Sequence, residues 1–380
     1  MMKKILKKVI IYAFCKIPIK KNKIFLCNFY GKGYGGNPKF IVEEMKKKDY
    51  KCVYIWMVKN RKEEMPEEIK PVKAWTIRYY YHLATSKIII SNVRMYLGIP
   101  KRKNQIYLQT WHAPFSPKCV EGDAEDKLPP KYIEEAKYDG TICNAILVNS
   151  ELQEKQFKRA FWLNKDVEYL RYGLPRNDFL INNKNNKDLA LEIRKKLKLR
   201  AEDFVVLYAP TFRDDFSLDG YKIDFRNIEK AFAKKFAKNI RIIVRLHPNV
   251  QDQMNYLALS DNIIDGSIFP DMSEISLISD FLISDYSTSI FDFAILGKPA
   301  IICALDFYKY KFERGILKEF YEFPFPITYS NEELIDEIFK FNYENYNKKV
   351  EDYFKKNKIY DSGNASKMTA NWILNKIVEK

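Results

Sequence analysis

The chain has three histidines, and two of them stand where chemistry is easy to place. His112 in QTWHAPFSPK and His247 in RLHPNV each follow an apolar run and lead into a proline-containing turn. An imidazole titrates near neutrality and can take a proton from an attacking hydroxyl, which makes His112 a candidate general base. His247, fixed by Pro248, is placed to donate to a phosphate oxygen of a leaving group. A buried, hydrogen-bonded histidine is the alternative for both. Arg213 in APTFRDD offers a forked donor suited to a pyrophosphate. The adjacent Asp214 and Asp215 could chelate a metal together with phosphate. No His or Cys accompanies them, solvated carboxylates are the plainer reading, and no metal is expected.

A second group of candidates lies in ISDYSTSIFDFAILGKP, residues 283–299, which reads as strand end, polar turn, short helix and stop. Asp285, Ser287, Thr288 and Ser289 supply capping groups, and Gly297 with Pro299 marks the end. Unpaired N–H groups in the first helical turn, with the hydroxyls of Ser287 and Thr288, suit a phosphate or pyrophosphate; plain capping is the alternative. The Gly-rich GKGYGGNPK, residues 31–39, follows the first strand, and Gly31 and Gly33 would let backbone amides approach an anion. It matches neither the P-loop nor the dinucleotide spacing, and a tight turn explains the glycines equally well. Ser150, with Gln153 placed for a capping box, reads as a helix cap, and no GxSxG elbow supports a serine hydrolase.

These residues need a scaffold, and the chain supplies one by alternation. Apolar runs IFLCNFY, CVYIWMV, KIIISN, IYLQTWH and AILVNS in the first half, and VVLYAPT, RIIVRLHP, FLISDYS and AIICALD in the second, are separated by helix-length stretches. Such alternation predicts an α/β protein of two doubly wound, Rossmann-like parallel-sheet domains facing a cleft. Trp111 and His112, Asn149 and Ser150, Thr211 and Arg213, His247, and Ser287 with Thr288 each end an apolar run. Ligands bind outside the carboxyl ends of strands in such sheets, so these residues are expected to converge on one crevice. The polar INNKNNKD after the turn GLPRND marks the boundary. The expected division is a surface helix over 1–16, a first Rossmann-like domain over 17–182, a second over 183–362, and a C-terminal helix over 363–380 packing back across both.

With 380 residues, 47% hydrophobic, the chain can bury a large core. Its formal net charge of +16 points to an acidic partner, or to a Lys-rich background composition. No recognisable nucleic-acid-binding motif is present, so nucleic acid is not the expected partner. The six cysteines lack CxxC spacing and read as buried thiols. Between Lys3 and Phe14, Ile5, Leu6, Val9, Ile10, Ala13 and Phe14 share one helical face and lysines lie toward the other. The run is too short to span a bilayer and no cleavage site follows it, so the two readings are a helix lying on anionic lipid and a helix packed on the domain.

Taken together, the Gly loop followed by Asn37-Pro38-Lys39, QTWH ending at His112, GLPRND at Gly173 to Asp178, YAPTFR ending at Arg213, RLHP at Arg245 to Pro248, and SDYSTSIFDFAILGKP resemble the CDP-glycerol:glycerophosphotransferases that build wall teichoic acids and related polymers. The resemblance runs through nearly the whole chain. It implies a GT-B fold, in which the first domain is the acceptor domain and the second the donor domain, and peripheral association with the cytoplasmic face of the membrane. It also implies transfer of a polyol phosphate from a CDP-polyol, glycerol first and ribitol as alternative, to a hydroxyl of a lipid-linked glycan or polymer, in teichoic acid or capsule-like polymer synthesis. By the same resemblance His112 is the base, and His247, Ser287 and Thr288 hold the donor pyrophosphate. Asp292 lies near the nucleotide ribose, and Gly31, Gly33, Asn37 and Trp111 belong to the acceptor side. No cofactor or metal is implied, and a homo-oligomer is left open. Where the family usually has Gly-Thr-Pro after the histidine, Ala113-Pro114-Phe115 stands here, which bears on the acceptor. The length resembles a primase or single-unit transferase rather than the long polymerases. Rival readings are a GT-B glycosyltransferase using a nucleotide-sugar and a non-catalytic binder of anionic membranes or polymers.

Overall fold

The computed structural model describes residues 9–48, 50–60, 63–95, 100–213, 219–246, 250, 262–267 and 272–378. The chain forms two compact units. The first comprises Met1–Pro114, Val120–Asp178 and Ile359–Lys380, and the second Phe115–Cys119 with Phe179–Lys358.

In the first unit seven strands, β1 (Lys20–Cys27), β2 (Val53–Val58), β3 (Ile69–Lys73), β4 (Ser86–Ser91), β5 (Ile106–Gln109), β6 (Ala145–Leu147) and β7 (Glu168–Leu170), form a sheet of order β3-β2-β1-β4-β5-β6-β7. All its pairings are parallel. Successive residues of a strand point to opposite faces, and here both faces are covered. Ile24 and Leu26 pack with the helices Gly36–Lys46 and Ala365–Val378, whereas Phe25 and Cys27 pack with Tyr79 and Leu83 of Ile77–Thr85 and Phe157 of Glu151–Ala160. That two-sided burial is why the central strands read as unbroken apolar runs.

The second unit repeats the plan with β8 (Phe204–Ala209), β9 (Ile240–Val244), β10 (Ile263–Asp265), β11 (Phe281–Ser284), β12 (Ala300–Cys303) and β13 (Ile327–Thr328), in the order β10-β9-β8-β11-β12-β13, again parallel. The four strands that the apolar runs did not reveal, β3, β7, β10 and β13, are the two edges of each sheet. Edge strands are short and half solvated, and β3 carries Pro71, which only an edge tolerates.

Three boundaries differ from expectation. The chain leaves the first unit after Asp178, not after 182, and re-enters it at Ile359. The helix Ala365–Val378 packs within the first unit instead of lying across both: the buried Asp178 carboxylate accepts from the first-turn amides of Ala365 (3.0 Å) and Ser366 (2.7 Å), and Trp372 donates to Glu168 (3.1 Å). GLPRND is thus the clasp that receives the C-terminal helix. The Ala113-Pro114-Phe115 segment lies where the chain passes into the second unit, and there Pro117 O accepts from Leu317 N at 2.8 Å. At the N-terminus residues 1–8 lie outside the described residues; residues 9–14 are helical. Ile11 is buried and Phe14 packs edge-on to Tyr81, while Val9 and Ala13 of the expected apolar face are exposed. Within residues 9–14 the face that enters the core is therefore rotated from the expected one.

Lys298 of the GKP stop is a structural cation. Its Nζ donates to the carbonyls of Leu277 (2.6 Å) and Ser279 (2.7 Å), which end the helix Met272–Ile278. Burial lowers its pKa to about 8 from 10.5. Between those values the unfolded chain holds a proton that the folded chain lacks, so this group adds stability as pH rises from about 8 to about 10.5. Buried thiols such as Cys303, pushed up to about 12 by burial, oppose that trend, so the readout is a difference. The gap in unfolding free energy between wild type and Lys298→Met should widen with pH across this window; a gap constant with pH contradicts the assignment.

Candidate active site

In the first unit the site is built at the carboxyl ends of β1, β4 and β5. Asn28 follows β1, Asn92 follows β4 and His112 stands three residues past β5. The sheet order reverses between β1 and β4, the position where ligands enter such sheets. His112 Nδ1 lies 2.9 Å from the backbone carbonyl of Asn92. A carbonyl only accepts, so Nδ1 carries the proton and the neutral ring keeps its basic lone pair on Nε2. The ring is half-buried between Trp111 (centroids 4.3 Å apart) and Phe29 (5.3 Å).

The loops that carry these groups hold three bulky residues in the left-handed region: Phe29 (φ 40°), Tyr30 (φ 57°) and Trp111 (φ 49°). Each such conformation costs about 1–3 kcal/mol and persists only where surrounding contacts over-determine it. The contacts are present. Trp111 is buried against Phe161, and its amide donates to Gln109 Oε1 at 2.9 Å. Asn37, also buried, donates to the carbonyls of Thr110 and Trp111 and accepts from Arg176 N, so its amide is a clasp for the histidine loop. Gly31 N donates to Asn28 O at 2.8 Å and Gly33 N to Glu63 Oε2 at 2.7 Å. The Gly31 and Gly33 amides, read as anion donors, are thus already engaged, the first within the turn and the second by the Glu63 carboxylate. A Cβ on Gly31 would come within 2.9 Å of the Lys59 and Val58 backbone, so close approach explains that glycine. Ser150 caps its helix, accepting from Gln153 N, as read from sequence.

Beneath Trp111 runs a buried network that sequence reasoning missed. Arg94 pairs with Asp139 (2.7 Å) and Glu121 (2.9 Å), and its guanidinium lies over Phe161 and Trp111. Asn28 and Asn92 were missed as well, although each directly ends an apolar run. The rule that singled out His112 also marks them.

In the second unit the expected anion site differs from its sequence reading. Arg213 is buried, and its guanidinium is taken up by two carboxylates, Asp306 bidentately (2.6 and 2.9 Å) and Asp285 (2.8 Å), with a further bond to Thr211 O. Burial disfavours its charge, but Asp285 and Asp306 outweigh that and hold its pKa above the ordinary range. One guanidinium facing two carboxylates makes a cluster with no net positive charge to offer a phosphate, so Arg213 is a structural joint in place of the donor-binding role read from sequence. A Cβ on Gly220 would lie 2.4 Å from Arg213 Nη2, so only glycine admits this arrangement. Asp285 accepts from the amides of Thr211 and Tyr286, both at 2.7 Å, and thereby joins the ends of β8 and β11 instead of capping a helix.

The helix after β11 is short, Ser289–Ala294, with Thr288 at its N-cap and no side-chain cap bond. Its dipole is correspondingly small. Ser287 and Ser289 hydroxyls lie 2.9 Å apart, and both are half-buried, as is Thr288. Asp292 is buried in the helix. His247, Asp214 and Asp215 lie outside the described residues. Among the described residues no three His, Cys, Asp or Glu side chains are grouped to hold a metal ion.

Two parallel doubly wound units with sites at strand carboxyl ends define the GT-B class. A glycosyltransferase of lipopolysaccharide biosynthesis, WaaG, shares this fold alone, with TM-score 0.54 and 13% identity over 92% of this chain and 99% of that one. The chain belongs to the CDP-Glycerol:Poly(glycerophosphate) glycerophosphotransferase family, which matches residues 10–375. It is 31% identical to a teichoic acid poly(glycerol phosphate) polymerase of Staphylococcus epidermidis over 95% of this chain, and spans 52% of that relative. A polymerase of the same name from Bacillus spizizenii is 27% identical, with 94% and 93% covered. The wall teichoic acid polymerase TagF, in a structure of a histidine-to-asparagine variant soaked with CDPG, superposes with TM-score 0.84 and 30% identity, covering 99% of this chain and 95% of that one.

Removing Arg213 strands two buried carboxylates, so Arg213→Met should lower the unfolding free energy by about 3–5 kcal/mol. Ser287→Ala and Thr288→Val should shift the melting temperature by no more than about 2 °C. Denaturant and thermal melts check both; an Arg213→Met protein as stable as wild type contradicts the structural role.

Proposed function

We propose that this chain transfers glycerol phosphate from CDP-glycerol to a hydroxyl of a teichoic-acid-type acceptor and releases CMP. The observation that carries this reading is His112, held with Nε2 as its basic nitrogen at a strand end, in a chain of this family. The acceptor oxygen attacks the phosphorus that bears glycerol. A new O–P bond forms, the bond from that phosphorus to the bridging oxygen breaks, and CMP departs with the electron pair. The acceptor proton goes to His112 Nε2. Such transfer depends mainly on alignment and on stabilising charge on the phosphoryl oxygens.

For the donor, the hydroxyls of Ser287 and Thr288 offer hydrogen bonds to the diphosphate, and His247 keeps its sequence-based role as a donor to the leaving phosphate. Arg213 acts indirectly, by holding Asp285 and the loop that precedes Ser287. No metal enters this reading. A lipid-linked acceptor at an anionic membrane surface fits the formal charge of +16; among the described residues no helix is long and apolar enough to cross a membrane.

The test is CMP release from CDP-glycerol and from CDP-ribitol, with and without a lipid-linked acceptor, with the product followed by mass. Acceptor-dependent CMP from CDP-glycerol, and a product heavier by glycerol phosphate units, is expected. His112→Asn should lower turnover by about 10²–10⁴-fold with an unchanged melt, and Ser287→Ala with Thr288→Val should raise the KM for CDP-glycerol. Undiminished turnover by folded His112→Asn would overturn the base assignment.

A further inference from the structure

The carbonyl that orients His112 is itself oriented by two buried amides. Asn92 is fully buried and Asn28 is 4% exposed. Asn92 Nδ2 donates to Asn28 Oδ1 at 2.7 Å, and Asn92 Oδ1 accepts from the amide of Phe29 at 2.9 Å. Asn28 Nδ2 completes the set by donating to the carbonyls of Lys32 (2.8 Å) and Gly33 (3.2 Å). Each amide therefore has one permitted orientation, because a flip of either would set donor against donor and oxygen against oxygen. The pair fills the space over Gly36, at φ 60°, so that only glycine fits there: a Cβ would stand 2.7 Å from Asn28 Oδ1 and 2.8 Å from Asn92 Nδ2.

With its side chain pinned at both ends and its amide donating to Cys27 O (3.3 Å), Asn92 can present its carbonyl in only one direction, and His112 Nδ1 meets it there. We propose that Asn28 and Asn92 are positioning residues for the reaction: through the Asn92 carbonyl they hold His112 as the Nδ1–H tautomer, with Nε2 as the proton acceptor. This rests on the reading of His112 as the base. An aspartate at either position would lose a donor and bring a charge beside the imidazole. An aliphatic residue would leave buried polar groups without partners.

A fold-maintaining role alone does not select a tautomer, so the tautomer is the discriminating readout. The chain has three histidines, which makes ring ¹⁵N spectra of histidine-labelled protein simple to assign with a His112→Asn reference. Neutral His112 in the wild type should carry its proton on Nδ1, whereas an imidazole without a directing acceptor populates both tautomers. In Asn92→Ala the ring should become a tautomer mixture, and kcat should fall by about 10- to 100-fold with little change in the KM for CDP-glycerol. Asn28→Ser, which removes only the outer member of the pair, should act in the same direction and serves where Asn92→Ala does not fold. The wild-type spectrum needs no variant. An Nε2–H wild-type ring, or a folded Asn92→Ala protein that keeps both the Nδ1–H signature and kcat, would overturn the proposal. Undiminished turnover by His112→Asn instead removes the base reading, whatever the tautomer.

Discussion

Where the order of a parallel sheet reverses, two adjacent strands send their chains to opposite faces, and their carboxyl ends are left with no connection crossing between them. In each unit of this protein a buried polar bridge closes that gap. Asn28 after β1 bonds Asn92 after β4 in the first unit, and Arg213 after β8 bonds Asp285 after β11 in the second. The loop that carries Ser287 starts from the second bridge, and the first fixes the residue whose carbonyl meets His112. Without them the strand ends would present unpaired buried polar groups, each destabilising by about 1–3 kcal/mol.

The two bridges differ in charge, and the difference suits their neighbours. An amide pair carries no net charge, so the first bridge supports the His112 loop without placing a charge near the imidazole. The guanidinium of Arg213 stacks among Tyr221, Tyr286 and Tyr310 and is matched by two carboxylates, which makes it a rigid joint and unsuited to a mobile phosphate. A buried ion cluster of this kind gives little net stability over an apolar replacement, but losing one member is expensive. Geometry is what it contributes. In the same way Phe29, Tyr30 and Trp111 hold left-handed backbone because Asn37, Gln109 and the asparagine pair leave their loops no alternative.

Central strands were legible because burial on both faces writes continuous apolar runs into the sequence, as in β1, β4, β8 and β11. The edges β3, β7, β10 and β13 were not, since a half-solvated strand of two to five residues leaves neither a run nor a clean alternation. In the segment after β11 a short helix forms, as the sequence reads, but its capping residues serve otherwise. Asp285 and Ser287 are engaged with Arg213 and Ser289, so neither starts the helix.

The sequence by itself determined the α/β class, the doubling of the sheet, and which strand ends carry unusual polar side chains, because these are local properties of spacing and residue type. Its ordered motifs also determined the family. Only the tertiary structure decided what those polar groups do. Arg213 meets carboxylates 72 and 93 residues away, and Asn92 meets Asn28 at a separation of 64. A guanidinium at a strand end reads the same whether it faces a phosphate or an aspartate. The choice is made by which distant chain folding brings within 3 Å, and no local period encodes that.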